Sequence, residues 1–155
     1  MRIDRDTLVF FDASCLIAAA GSPTGGSGFL LSLCARRLLR GAISHIVLLE
    51  AEHNIQAKLS PLVLSHFHEL LQVVPLVVAP VPPRSSEKGW TQHVNAKDVH
   101  IVCATLSIEC DYLLTLDQNL VEEISHTAFA MDAISPRDFI RTILPSHEEI
   151  AKVRT

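Results

Sequence analysis

The order of elements along this chain predicts an α/β domain built on a mostly parallel β-sheet covered by helices on both faces. Short apolar runs recur and alternate with longer stretches of helical character, and such alternation implies crossover connections that leave neighbouring strands parallel. The clearest run, residues 7–12, is apolar almost throughout, the pattern of a buried strand. At 155 residues, 48% apolar and 19% charged, the chain has the sequence for one domain with a substantial core.

Each element has its own signal. Thr7-Leu8-Val9-Phe10-Phe11-Asp12 predicts a strand ending in a carboxylate, and residues 15–20 add one or two helical turns. Residues 21–28 are rich in Gly and Ser and predict a flexible loop; they lack the Lys-Ser/Thr ending of a phosphate-cradling loop. Residues 29–41 predict a helix with apolar residues on more than one face and a glycine stop. Residues 44–48 predict a short strand, followed by a helix through Glu50, Asn54 and Lys58. Ser60-Pro61 is an N-cap and first-turn pair for a helix to about Leu71.

Residues 73–79 are β-branched and predict a strand, which Pro75 restricts to an edge or a break. Residues 80–97 form a long polar loop carrying Pro82, Pro83 and Trp90, a length commonly put to functional use. Residues 98–110 predict a helix with Ile101, Thr105 and Ile108 near one face, and residues 112–116 a strand leading to Asp117. A short helix from Asn119 and an apolar segment at 128–131 lead to Ser135-Pro136, which caps a closing helix through Ile143. With no repeat and no linker, residues 1–155 read as a single domain, its core at about 7–142 and a short extension at 145–155.

Composition excludes several classes. Cys15, Cys34, Cys103 and Cys110 contain no close pair of the kind zinc requires, and read as buried thiols in a reduced compartment. The eight histidines show no i, i+4 metal pairing. A net charge of −4 argues against a broad basic nucleic-acid-binding face, but not against an enzyme that meets its substrate through bound cations. No run approaches the ~18 to 20 apolar residues of a membrane span, and the first residues do not form a signal peptide; the expected location is cytoplasmic.

In open parallel sheets, ligands bind beyond the carboxyl ends of the strands. Asp12 and Asp117 follow strands there, Asp98 opens a helix toward the same edge, and Glu50 lies early in a helix with Asn54 one turn later. Singly, each fits a helix cap or a surface charge. Jointly they repel unless a divalent cation holds them, and an oxygen-only ligand set favours Mg²⁺ or Mn²⁺.

The strings Phe11-Asp12-Ala13-Ser14, Leu49-Glu50-Ala51 with Asn54, Ala96-Lys97-Asp98-Val99-His100-Ile101 and Leu114-Thr115-Leu116-Asp117 resemble the four acidic motifs of the PIN domain family, in that family's order. The resemblance spans residues 7 to 142, including Ile134-Ser135-Pro136-Arg137-Asp138-Phe139-Ile140. It implies a three-layer α/β/α fold, a Mg²⁺- or Mn²⁺-dependent ribonuclease acting on an RNA substrate, and frequent homodimers; many small members are VapC-like toxins with a small antitoxin partner. By position, Asp12, Glu50, Asp98 and Asp117 match the acidic residues, and Ser14 and Thr115 match small hydroxyl positions that place metal or water. Two departures stand out. Asn95 lies where many relatives carry another aspartate, and Glu52 competes with Glu50 as the second acidic residue.

Other features have two readings each. Arg36, Arg37 and Arg40 form a basic patch, either a solvated face or a guide for an RNA backbone. Trp90 is a packing anchor or a base-stacking platform, and His100 packs near the Asp98 helix start or meets substrate. Residues 29–39 hold more apolar side chains than one buried face needs, which predicts a homodimer. A receiver-type domain lacks its aspartate after the third strand, and a haloacid-dehalogenase-like phosphatase lacks its Asp-x-Asp. The alternative to the enzyme is a catalytically silent PIN-like scaffold or RNA-binding module.

Overall fold

Strand β1 (Leu8–Phe11) is buried along its whole length, between β2 (Arg40–Ser44) on one side and β4 (Tyr112–Leu114) on the other. This computed structural model describes residues 3–81, 83, 89, 91 and 93–153. The readings of Pro82 and Trp90 lie outside the described residues. The edges of the sheet are β3 (Leu76–Ala79) and β5 (Asp132–Ile134), giving the order β3-β2-β1-β4-β5 with every pairing parallel. Pro75 directly precedes β3, whose outer edge needs no N–H there.

The helices are α1 (Ala13–Gly21), α2 (Gly26–Ala35), α3 (His45–Lys58), α4 (Pro61–Val73), α5 (Val99–Ser107) and α6 (Gln118–Ser125). A 3₁₀ turn, Ala96–Asp98, leads into α5. After β5, α7 (Pro136–Asp138) continues as a π-helical stretch, Phe139–Ile143, and a 3₁₀ turn, Leu144–Ser146, before α8 (Glu148–Val153). Helix α1 packs on α2, α3 and α4, α6 packs on β5, and α2 meets α7. Among the described residues no single helix is long and apolar enough to cross a membrane.

Three sequence expectations moved. The helix expected at 29–41 starts earlier, at Gly26, and ends at Ala35; residues 40–44 are a strand. Gly28 sits inside the expected loop's helical end because a Cβ would lie 2.2 Å from the Pro23 carbonyl oxygen. Gly41, read as a helix stop, is instead buried in β2, where a Cβ would lie 2.7 Å from Leu76 Cδ2 and 3.0 Å from Cys34 Sγ. The strand expected at 44–48 is the start of α3, because Ser44 Oγ accepts from Val47 N at 3.1 Å and caps the helix. The apolar segment at 128–131 leads directly into the last strand, Asp132–Ile134.

Helix α2 ends in a left-handed turn. Leu38 N donates to Leu33 O (2.9 Å), Arg37 N donates to Cys34 O (3.1 Å), and Arg37 has φ 59°. This is the Schellman arrangement with arginine where glycine is favoured. Glu109 repeats it after α5 with φ 52°, Cys110 N donating to Thr105 O at 3.0 Å.

All four cysteines are buried thiols, as expected. Burial pushes the Cys15, Cys34 and Cys110 thiols up to about 12, with the neighbouring Asp12 and Asp111 carboxylates adding to the effect at Cys15 and Cys110 respectively. Asp111 itself has a structural role: Leu8 N donates to its Oδ2 at 2.8 Å, tying β4 to β1. Of the apolar residues in α2 and its turn, Leu30, Leu31, Leu33 and Leu39 are buried in this chain's own core, leaving Phe29 38% exposed.

Candidate active site

The chain builds the sheet outward from β1 through β2 to β3, then returns to the other side of β1 with β4 and β5. The strand order therefore reverses between β1 and β4, and the crevice beyond their carboxyl ends is the natural ligand site. In register, Phe11 pairs with Leu114, so Asp12 and Thr115 emerge side by side, with Asp12 N donating to Leu114 O at 3.0 Å.

Asp12 is 8% exposed and fully engaged. Its Oδ1 accepts from Ala13 N at 2.7 Å and caps α1. Its Oδ2 accepts from Thr115 Oγ1 at 2.7 Å and from Ser14 Oγ at 3.3 Å. Those hydroxyls accept in turn: Leu116 N donates to Ser14 Oγ (3.1 Å), and Asp117 N donates to Thr115 Oγ1 (3.1 Å). The network locks the loop after β4 onto the end of β1. The donor hydrogens of Ser14 and Thr115 are spent on Asp12, so these residues position that carboxylate.

Asp98 is also 8% exposed, and its Oδ2 is buried with no hydrogen-bond partner among the described residues. It is not serving as a cap: α5 receives no side-chain bond from it, and Asn95 caps the 3₁₀ turn by accepting from Lys97 N at 3.2 Å. Burial pushes the Asp98 carboxyl from its usual 3.8 up to about 6. Lys97 opposes that rise, while the negative charges of Asp117, Asp12 and Glu123 reinforce it.

Asp117 divides its oxygens. Oδ1 accepts from Asn119 N (3.0 Å) and Leu120 N (3.3 Å), capping α6, while Oδ2 lies 3.7 Å from Lys97 Nζ. Glu123, not singled out from the sequence, accepts from Asn95 N at 2.7 Å and joins the same electrostatic cluster. Its signal was available in principle: on the helix capped by Asp117, Asn119 and Glu123 share a face at i, i+4. Asn95, Asn119 and Glu123 line a cleft of about 650 Å³ together with Glu122 and His126, and Asp12, Asp98 and Asp117 are not part of its lining.

Glu50 is exposed on α3 and stands outside this hydrogen-bonded set. Asn54 Nδ2 donates to the Glu50 backbone oxygen at 2.8 Å, a bond within the helix. Glu52, the competing choice, lies 3.2 Å from His68 Nε2 on α4. The structure thus brings Asp12, Asp98 and Asp117 within electrostatic reach of one another, with Ser14 and Thr115 bonded to Asp12.

The three aspartates differ in how far their oxygens are already engaged. Their donor atoms are all oxygen, the kind a hard divalent cation takes, and Asp98 Oδ2 has no hydrogen-bond partner among the described residues while it feels the charges of Asp117 and Asp12. Among the described residues, however, no three His, Cys, Asp or Glu side chains already stand at metal-ligand spacing.

No protein-family model and no curated protein matches the sequence. Solved structures share its architecture. PAE2754 from Pyrobaculum aerophilum superposes with a TM-score of 0.60 at 18% identity, over 87% of this chain and 93% of that one. VapBC2 from Rickettsia felis, solved bound to a DNA fragment from their promoter, gives 0.61 at 14% identity over 83% and 98%. FitAcB from Neisseria gonorrhoeae gives 0.57 at 14% identity over 83% and 98%. The chain has the PIN-like α/β fold that its acidic strings resemble.

Proposed function

We propose that this protein is a Mg²⁺- or Mn²⁺-dependent ribonuclease, with Asp12, Asp98 and Asp117 holding the cation and Glu50 as the fourth acidic residue. The observation that carries this reading is the buried, unpartnered Asp98 Oδ2 beside two other carboxylates. A carboxylate in that position is destabilising when charged unless a cation meets it. A bound cation supplies Lewis acidity and charge neutralisation at a phosphodiester. The chain's own groups set the frame: Thr115 and Ser14 fix the Asp12 carboxylate, and the first amides of α6 fix Asp117. Lys97, whose side chain is 67% exposed, places positive charge at the rim where a phosphate approaches.

The test is cleavage of a panel of RNAs by wild type, Asp12→Asn and Asp98→Asn. Each variant is expected to lose about two decades or more of activity, the several kcal/mol associated with metal charge stabilisation. EDTA abolishes cleavage, and Mn²⁺ or Mg²⁺ restores it. Wild-type rates in either variant, or EDTA-resistant cleavage, would sink the assignment. One observation favours the alternative of a silent scaffold: Lys97 already lies against Asp117 Oδ2. That reading takes over if the wild type neither binds Mn²⁺ nor cuts any RNA in the panel.

The similarity to VapBC and FitAB assemblies supports a toxin role with a small antitoxin-type partner. Expression of this chain then arrests growth, and co-expression of a small protein from the adjacent reading frame relieves the arrest. Self-association is part of the same proposal, and it rests on exposed Leu49, Leu62, Val73 and Val78 rather than on α2. Light scattering at tens of micromolar, roughly the range where micromolar dimers form, decides it.

A further inference from the structure

We propose that a groove at the amino edge of the sheet, opposite the acidic site, binds a phosphorylated ligand with a planar apolar body, of the mononucleotide class. The groove has a volume of about 420 Å³, within the range of small-molecule sites. It opens where β1, β2 and β3 begin, and Leu39, Leu76 and Val77 give it an apolar lining. Arg5, Arg37 and Arg40 surround it, in a chain whose net charge is −4.

The arginines are not equivalent. Arg5 is committed to Glu149, at 2.7 Å. Arg37 and Arg40 have no ion pair among the described residues, although Asp6 also lines the groove. Arg37 holds its place at φ 59°, a left-handed conformation that glycine adopts freely and arginine does not. A strained arginine at the lip of a cavity points to use of its side chain. Two unpaired guanidiniums match the oxygens of one phosphate group. Asp6 and the Arg5–Glu149 pair interrupt the positive charge along the groove, and Arg36 does not line it, so a polyanion backbone gains little inside it. The apolar lining suits the face of a base, and Asp6 can accept from its N–H groups.

The experiment is calorimetric titration in EDTA of AMP, GMP, adenosine, inorganic phosphate and a single-stranded ten-nucleotide RNA into the full chain. AMP or GMP is expected to bind saturably, at least about tenfold tighter than adenosine or phosphate, as cooperation of charge and apolar contact requires. Arg37→Gly and Arg40→Gln each weaken that binding by about fivefold or more, the scale of a lost charge-assisted hydrogen bond. Arg37→Gly melts at or above the wild-type temperature, which separates lost binding from lost folding. Asp98→Asn binds as wild type, so this result is independent of the acidic site. Absence of saturable binding by both mononucleotides overturns the proposal, as do unchanged affinities in both arginine variants. Equal affinity for inorganic phosphate also overturns it, as does tighter binding of the RNA through the same arginines.

Discussion

Asp98 shows how one buried side chain, when charged, can oppose the fold. Its carboxyl is raised to about 6 from 3.8, so the folded chain binds that proton more tightly than the unfolded chain does. The sign follows: without metal, this group's contribution to stability is fully present below about 4, declines as pH rises through about 6, and is absent above. Asp98→Asn removes the charge at constant size. In EDTA at pH 7 it is expected to be more stable than wild type by about 1–2 kcal/mol, a shift of two units discounted for partial solvation. The difference should vanish near pH 4, and Mn²⁺ should raise the melting temperature of wild type alone. A variant that melts lower than wild type in EDTA at pH 7 contradicts this reading. Thr115→Val tests the neighbouring carboxylate. It preserves shape but removes the 2.7 Å bond to Asp12 Oδ2 and the acceptor for Asp117 N. Loss of such a supporting bond lowers metal affinity or activity about 10- to 100-fold, and RNA cleavage at graded Mn²⁺ measures it.

At the level of elements, legibility depended on whether the signal was local. Ser60-Pro61 starts α4 and Pro75 precedes an edge strand, because capping and a missing N–H act within a few residues. Asp12 and Asp117 were readable for the same reason, each lying at the junction of a strand and a helix. The segment at 36–44 was not. Arg37 ends α2 in a conformation that announces itself in sequence only when glycine occupies it, and Gly41 is small because Leu76 and Cys34 crowd it from other elements. The link of Glu123 to Asn95 and of Lys97 to Asp117 was not legible, because only tertiary folding brings α6 and the 3₁₀ turn together. The two left-handed residues are testable as a pair. Arg37→Gly and Glu109→Gly should each stabilise the fold by about 0.5–1 kcal/mol, less any entropy returned to the unfolded chain. Urea midpoints lower than wild type in both variants would show that the turns carry no strain.

Across the whole molecule, the two edges of the sheet are oppositely charged. Carboxylates gather where β1 and β4 end, and arginines gather where β1 and β2 begin. The chain's ends are closed by a device the sequence did not disclose, since residues 145–155 read as an extension beyond the core. His147 has 0% exposure. Its Nε2 lies 2.6 Å from Leu38 O, and its Nδ1 accepts from Glu149 N at 3.1 Å and Ile150 N at 3.4 Å. This pattern assigns the proton to Nε2. The ring thus satisfies the Leu38 carbonyl at the turn before β2 and two otherwise unbonded amides at the start of α8. The same segment holds the beginning of the chain: Ile3 bridges His147, and Glu148 N donates to Ile3 O at 3.2 Å. Replacing the ring by His147→Leu fills much of the volume but leaves a part-buried carbonyl and two part-buried amides without these partners. Each such loss costs about 1–3 kcal/mol, so a total of about 2–4 kcal/mol is expected, with partial rescue of the amides by water. His147→Asn retains a donor and an acceptor on a shorter arm and should fall between Leu and wild type. Urea unfolding of the three proteins measures the order, and hydrogen exchange should show the amides of Glu149 and Ile150 losing protection first. If His147→Leu unfolds at the wild-type midpoint, the C-terminal segment is dispensable to the fold, and the ring merely occupies space between α8 and the turn at Leu38.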